Sequence, residues 1–117
     1  MTSTRQEKVN SLLQKLISEY LLAEKFEGIT GLVTITAVDV SPDLEHAKIY
    51  FSSLGQEPSQ VSEILREHVY DIQGMLYHSL TMKKVPRIAF LSDASGEHAG
   101  RITELLKDLD DGNTSLQ

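Results

Sequence analysis

The chain has no cysteine, so it can form neither a disulfide framework nor a thiolate metal site. It also lacks any stretch near the roughly 20 apolar residues that a transmembrane helix needs, which excludes a membrane-spanning protein. Residues 1–8 are polar and contain no apolar segment of a secretory signal. These absences predict a soluble protein of the reducing cytoplasm that has no membrane partner.

An excess of positive charge is absent too, because 11 lysines and arginines face 17 aspartates and glutamates, a net charge of −6. Nucleic acids are bound largely through neutralised phosphates, so this balance argues against an RNA partner. The acids are unevenly distributed, however: residues 93–117 alone have a net charge of −4. Lys83, Lys84 and Arg87 fall within five positions, and a local basic surface is what nucleic-acid binding requires.

The first half of the chain predicts one helix and two strands. Ser3 or Thr4 is a candidate N-cap, with Glu7 placed for a capping box from Thr4, and the helix is expected to end near Lys25. Its apolar stripe consists of Val9, Leu12, Leu13, Leu16, Ile17, Tyr20 and Leu21. β-branched residues predict strands over 32–40 and 47–53. The Ser-Pro-Asp sequence at 41–43 is a turn, so the strands should form an antiparallel hairpin.

The second half predicts a long helical stretch, a short strand and a last helix. The helical stretch carries an apolar stripe formed by Val61, Ile64, Leu65, Val69, Ile72, Leu76 and Leu80. Gly74 lies inside it and marks a kink or a close packing point. Pro86 ends the helical region, a buried strand covers 88–91, and a helix covers 97–109. We therefore predict a single α+β domain over residues 1–109, with helices on one face of a three-stranded sheet, and a disordered acidic tail over 110–117.

Several motifs occur in a fixed order along the chain. They are RQEKVN at 5–10, VTITAVDVSPDLEHAKIY at 33–50, VPRIAF at 85–90, Asp93 with Ser95, and GRI at 100–102. Each is a weak signal alone, but the ordered set at compatible spacing is specific. Over about residues 4–109 the chain resembles the bacterial ribosome-binding factor A family.

The resemblance implies a domain of type II KH arrangement, in the order helix, strand, strand, helix (or two helices), strand, helix. It also implies a cytoplasmic, non-enzymatic assembly factor that binds small-subunit rRNA in the immature small ribosomal subunit. Such factors act late in maturation and support growth in the cold. A monomer without a cofactor is expected, with ribosomal proteins as further neighbours of the bound rRNA.

The sequence departs from the KH pattern between the two central helices. RNA-binding KH domains carry a Gly-x-x-Gly loop there, through which the backbone approaches nucleotides. The resemblance implies an Ala-x-Gly kink at the equivalent place, near residues 68–70, where this chain has His-Val-Tyr. The sequence leaves three alternatives for the central helical stretch: a kink at 68–70, a kink at Gly74, or a continuous helix.

The candidate RNA-binding residues are basic, and they are Arg5, Lys8, Lys48, Lys83, Lys84, Arg87 and Arg101. A solvated connector is the alternative interpretation of the cations at 83–87. Tyr50 and Phe51 suit either packing or stacking on a base. No catalytic residues and no metal ligands are predicted.

Two functional alternatives stay open. One is a protein-interaction module on a KH-like scaffold, which the acidic charge favours. The other is a small hydrolase with Asp93 and His98 as an acid–base pair. Histidines at the surface are a simpler interpretation than a hydrolase. An Asx-type turn at Asp43 is a simpler interpretation than a metal site.

Overall fold

The computed structural model describes residues 3–93 of the chain. The elements are α1 (Thr4–Ala23), β1 (Leu32–Val40), β2 (His46–Leu54), α2 (Pro58–Glu67), α3 (Val69–Ser79) and β3 (Arg87–Ser92). The α+β class and the order of these elements confirm the prediction. The predicted helix at 97–109 and the predicted tail at 110–117 lie outside the described residues. Among the described helices, none is long and apolar enough to cross a membrane.

The three strands form one sheet in the order β1-β2-β3. β1 and β2 pair antiparallel, which confirms the hairpin, and β2 pairs parallel with β3. A parallel neighbour requires a crossover connection, and α2 and α3 supply it. Ala47, Ile49 and Phe51 on β2 are buried beneath the helices, whereas Lys48 between them is exposed on the opposite face. The helices therefore cover one face of the sheet, as predicted.

The start of α1 is fixed by side-chain hydrogen bonds. The Ser3 hydroxyl accepts from the backbone N–H of Gln6 (3.1 Å), and the Gln6 side chain accepts from the N–H of Ser3 (3.0 Å). The capping box thus begins at Ser3, and the predicted box from Thr4 to Glu7 is wrong. Gln6 Nε2 also donates to the carbonyl of Val40 (3.1 Å), so the amide that closes the box also attaches α1 to the end of β1.

The buried face of α1 is narrower than its apolar stripe. Val9, Leu13 and Ile17 recur every four residues and are buried, because this spacing keeps them on one side of a helix. Leu12 lies about 100° around the helix axis from Leu13, and it is 42% exposed. Leu16 is only partly buried. The middle of the apolar stripe predicts Leu16 at the centre of the core, and this prediction is wrong because Leu16 packs only against the edge of the core. The helix ends at Ala23, two residues before the predicted position.

The central helical stretch is broken at His68, between α2 and α3. His68 has φ −103° and ψ 7°, a conformation open to any residue, so the break needs no glycine. Its imidazole stacks on the ring of Phe26, with centroids 4.1 Å apart and planes 11° apart. The break therefore lies within residues 68–70. Gly74 lies inside α3, which runs unbroken past it. It is not a close packing point, since no described atom beyond its chain neighbours and its own helix backbone lies within 4 Å of the position a Cβ would take.

A Gly-x-x-Gly sequence occurs at residues 28–31, but it connects α1 to β1 and not one helix to another. The Gln56 side chain holds this loop: Oε1 accepts from the N–H of Thr30 (2.9 Å) and Nε2 donates to the carbonyl of Gly28 (2.7 Å). A Cβ on Gly31 would overlap the carbonyl oxygen of Leu54. The loop is therefore packed against the β2–α2 connection, and the backbone N–H groups of Thr30 and Gly31 are already bonded to Gln56.

We expect Gly31→Ala to lower the free energy of unfolding by about 1–3 kcal/mol, because backbone must move to admit the methyl group. Gly74→Ala is the matched control. Its Cβ meets no described atom, and replacing a helical glycine should stabilise α3 by up to about 1 kcal/mol. Chemical denaturation of both variants checks the pair. Equal midpoints would contradict the close approach at Gly31.

Candidate nucleic-acid interface

The topology brings the start of α1, the β1–β2 turn and the start of β3 to one end of the fold. Val40, the last residue of β1, pairs with Ala47 at the start of β2, which pairs with Ile88 at the start of β3. The Val40 N–H also donates to Asn10 Oδ1 on α1 (2.9 Å). Residues distant in the sequence therefore meet at this edge of the sheet.

Six of the seven predicted RNA-binding residues lie at this end, which we call the basic end: Arg5, Lys8, Lys48, Lys83, Lys84 and Arg87. All six are exposed. They lie on different faces of the fold. Arg5 and Lys8 belong to α1 on the helical side, whereas Lys48 lies on the open face of the sheet. The seventh, Arg101, lies outside the described residues.

Lys84 has a partner that the sequence did not reveal. Its Nζ lies 2.8 Å from a carboxylate oxygen of Glu45, and both side chains are about half exposed. This hydrogen bond, together with the charge of Glu45, raises the pKa of Lys84, so its ammonium is charged throughout the neutral range. Within residues 3–93 no ion pair is found for Lys83 or Arg87. These two cations are therefore the more available ones for an external anion.

The turn that presents Glu45 is held by side-chain hydrogen bonds. Asp43 Oδ1 accepts from the Ser41 hydroxyl (2.6 Å) and from the N–H of Glu45 (3.0 Å), which confirms the Asx-type turn. These hydrogen bonds, with that from Ser41 the larger, lower the pKa of the Asp43 carboxyl. Leu44 adopts φ 60°, which a non-glycine residue rarely does, and its side chain is buried. In the described part of the chain no group of acids and histidines could hold a metal ion.

The other polar candidates have structural surroundings. Phe51 is fully buried, so stacking on a base is excluded for it, whereas Tyr50 is only partly buried. Asp93 is buried, its carboxylate accepts from the Thr36 hydroxyl (3.1 Å), and its N–H donates to the carbonyl of Phe51 (2.7 Å). The proposed partner of Asp93 in a hydrolase, His98, lies outside the described residues.

Sequence reasoning missed two exposed aromatic residues on α3. Tyr70 is 87% exposed and Tyr77 is 56% exposed, although both belong to a helix whose other face is in the core. They are seven residues apart, with Gly74 between them. That spacing places all three on one stripe of the helix, and it could have been read from the sequence.

Comparisons with known proteins agree on one family. The model of the ribosome-binding factor A family matches residues 5–106. Ribosome-binding factor A of Natranaerobius thermophilus is 37% identical over 114 residues, which cover 96% of this chain and 87% of that protein. The protein of the same name from Cupriavidus necator is 34% identical over 106 residues, covering 91% and 87%.

Solved structures show the same fold. The solution structure of a Thermotoga maritima protein described as a putative ribosome binding factor A superposes with a TM-score of 0.69 at 26% identity, over 78% of this chain and 89% of that one. A model of the Thermus thermophilus ribosome binding factor A, fitted into a cryo-electron-microscopy map of its complex with 30S, gives a TM-score of 0.62 at 23% identity, over 73% and 92%. Together with the sequence matches, these comparisons show that the chain belongs to the ribosome-binding factor A family.

Proposed function

We propose that this protein binds the rRNA of the immature small ribosomal subunit through its basic end, late in the maturation of the subunit. The observation that carries the proposal is the gathering of six exposed cations at one end of a chain whose net charge is −6. Membership of the ribosome-binding factor A family supplies the partner. The protein would act as a cytoplasmic monomer without a cofactor, and would support subunit assembly in the cold.

Electrostatics favour contact with the RNA backbone at this end. The acids nearest in the fold are Glu7, Asp39, Asp43 and Glu45, which leaves the basic end with an excess of positive charge. Phosphate contacts position a protein on RNA without reading its sequence. Selection of the rRNA segment would then depend on its shape, because the protein must place several cations on phosphates at once.

Side chains, and not an open glycine loop, would make these contacts. The junction between α2 and α3 has His68 stacked on Phe26, and the Gly-x-x-Gly at 28–31 is held by Gln56. Neither place offers the free backbone by which KH domains usually approach nucleotides. The mechanism is occupancy: the protein holds one rRNA conformation and leaves when the mature subunit no longer presents it.

A protein-interaction module is the second candidate function, and one observation favours it. Leu32 and Leu54 face each other at the end of the β1–β2 pair away from the basic end, and they are 58% and 72% exposed. Leu22, at 75%, adds a third exposed leucine from α1. An apolar surface of this kind suits a ribosomal protein.

Salt dependence separates the two candidates. We expect the logarithm of the affinity for immature small subunits to fall linearly with the logarithm of salt concentration. About three phosphate contacts would give a slope of about −2 to −3, at roughly 0.7–0.9 per contact. Binding by sedimentation at four or five potassium chloride concentrations measures the slope. A slope near zero would favour the protein-interaction module and contradict phosphate binding.

A further inference from the structure

Among the described residues, Tyr70, Gly74 and Tyr77 form a stripe of α3 that faces away from the core. The two phenol rings stand on the surface, and the missing side chain of Gly74 leaves a notch between them. The stripe borders an open depression with a volume of about 620 Å³, to which Tyr20 and His78 also contribute. Large exposed aromatic rings beside a notch are a binding surface, because they offer flat apolar area at little cost in conformational entropy.

The stripe is continuous with the basic end. Tyr77 lines a second cleft together with Lys84 and Arg87, so one tyrosine belongs to both surfaces. Gln73, on the same helix, fixes their relative position: its Nε2 donates to the carbonyl of Pro86 (2.8 Å), and its Oε1 accepts from the N–H of Ile88 (3.1 Å). The ring of Tyr77 and the cations Lys84 and Arg87 are therefore held side by side.

We propose that Tyr70 and Tyr77 stack on bases of an unpaired RNA segment whose backbone runs along Lys83, Lys84 and Arg87. A combination of stacking rings and adjacent cations is how proteins bind single-stranded nucleic acid. The charges give the bound strand its orientation. Asp71 is exposed beside the notch and repels phosphate, so the backbone lies towards the cations and only the bases reach the tyrosines.

The spacing of the rings selects unpaired nucleotides. Tyr70 and Tyr77 are seven residues apart, which is roughly 10 Å along a helix axis. Neighbouring bases in a stacked strand are only about 3.4 Å apart, so two consecutive bases of a duplex cannot occupy both rings. Bases splayed out of a loop or bulge can, and sequence-specific RNA recognition commonly uses such bases.

This inference rests on the proposed function, and its test separates the two. We compare the wild-type chain, Tyr70→Ala/Tyr77→Ala and Tyr70→Phe/Tyr77→Phe. Each is measured against a 12-nucleotide oligouridylate, a 12-base-pair RNA duplex and immature small subunits. Leu22→Ala/Leu54→Ala is the matched control for the two RNA oligonucleotides, since it also removes two exposed apolar side chains, but away from the basic end.

The alanine pair should bind oligouridylate at least about thirtyfold more weakly, because two stacked bases are lost and each contributes about 1–3 kcal/mol to the affinity. Its salt slope and its duplex affinity should equal those of the wild type, since no phosphate contact is lost. The phenylalanine pair, which keeps both rings, should bind as the wild type does. The leucine control should bind oligouridylate and the duplex as the wild type does.

Unchanged oligouridylate binding by the alanine pair would overturn the inference, as would wild-type protein that does not bind oligouridylate at all. Weaker binding of the alanine pair to subunits but not to oligouridylate would overturn it too, because the stripe would then contact a ribosomal protein. Failure of the proposed function is a different result, in which the wild-type chain does not bind immature subunits.

Discussion

Ile49→Ala is expected to lower the free energy of unfolding by about 2–5 kcal/mol. Ile49 is fully buried in the central strand, where Val38 on β1 and Phe90 on β3 are its register partners. Strands flank it on both sides and helices cover it, so the surroundings cannot collapse into the cavity that the truncation leaves. Small domains are stable by only about 5–15 kcal/mol, so the variant loses a large share of its stability. Urea denaturation measures the change.

Leu54→Ala is the control for this experiment, because Leu54 lies on the same strand and is 72% exposed. It should alter stability by no more than about 0.5 kcal/mol. Leu16→Ala should fall between the two, since Leu16 only packs against the edge of the core. Similar denaturation midpoints for Ile49→Ala and Leu54→Ala would show that the sheet does not bury the face described above.

The largest expected effect on the salt dependence of binding comes from replacing Lys83 and Lys84 together with alanine. If each neutralises one phosphate, the slope of log affinity against log salt should become shallower by roughly 1.5 units, at about 0.7–0.9 per contact. The fold should survive, because both side chains are exposed. Affinity should fall for all RNA sequences alike, since phosphate contacts carry no base identity.

The double variant also removes the ion pair between Lys84 and Glu45. Removing Lys84 leaves the Glu45 carboxylate unpaired at the basic end, where it repels phosphate. Lys83→Ala alone removes a cation without disturbing that pair, and it should make the slope shallower by roughly 0.7–0.9 units.

Lys25→Ala is the matched control for these lysine variants. Lys25 is an exposed lysine just beyond the far end of α1, and it should affect neither the affinity nor the slope. Unchanged binding by the Lys83/Lys84 double variant would mean that the segment at 83–87 is a solvated connector and does not contact RNA. The RNA contact would then have to lie around Arg5 and Lys8.

The sheet was largely predictable from the sequence, and the helix ends were not. β1 was predicted at 32–40 and lies there, because its β-branched residues alternate strongly and a Ser-Pro-Asp turn follows. The cap of α1 was misplaced because Ser3 and Thr4 are chemically equivalent candidates. The choice between them depends on Gln6, which reaches Val40 across 34 residues of sequence. Long-range contacts of this kind are invisible in a local pattern.

The cations of the site could be named from the sequence, but their surroundings could not. Charge density and the family resemblance selected Lys83, Lys84 and Arg87. Their position at the same end of the fold as Arg5 and Lys8 follows from the register of the sheet and from the hydrogen bonds that attach α1 to Val40. The ion pair between Lys84 and Glu45 joins residues 39 positions apart. Similarly, the stacking of His68 on Phe26 at the break joins the two central helices to the α1–β1 connection, which no local pattern in the helices indicates.

Co-sedimentation with ribosomal particles tests the central claim most directly. A cell extract that contains the tagged chain is separated on a sucrose gradient, and the protein is quantified in the fractions of free small subunits and of complete ribosomes. The account predicts that the chain migrates with free small subunits and is absent from complete ribosomes, because an assembly factor leaves before the subunits join. Equal occupancy of both particles, or of neither, would contradict it.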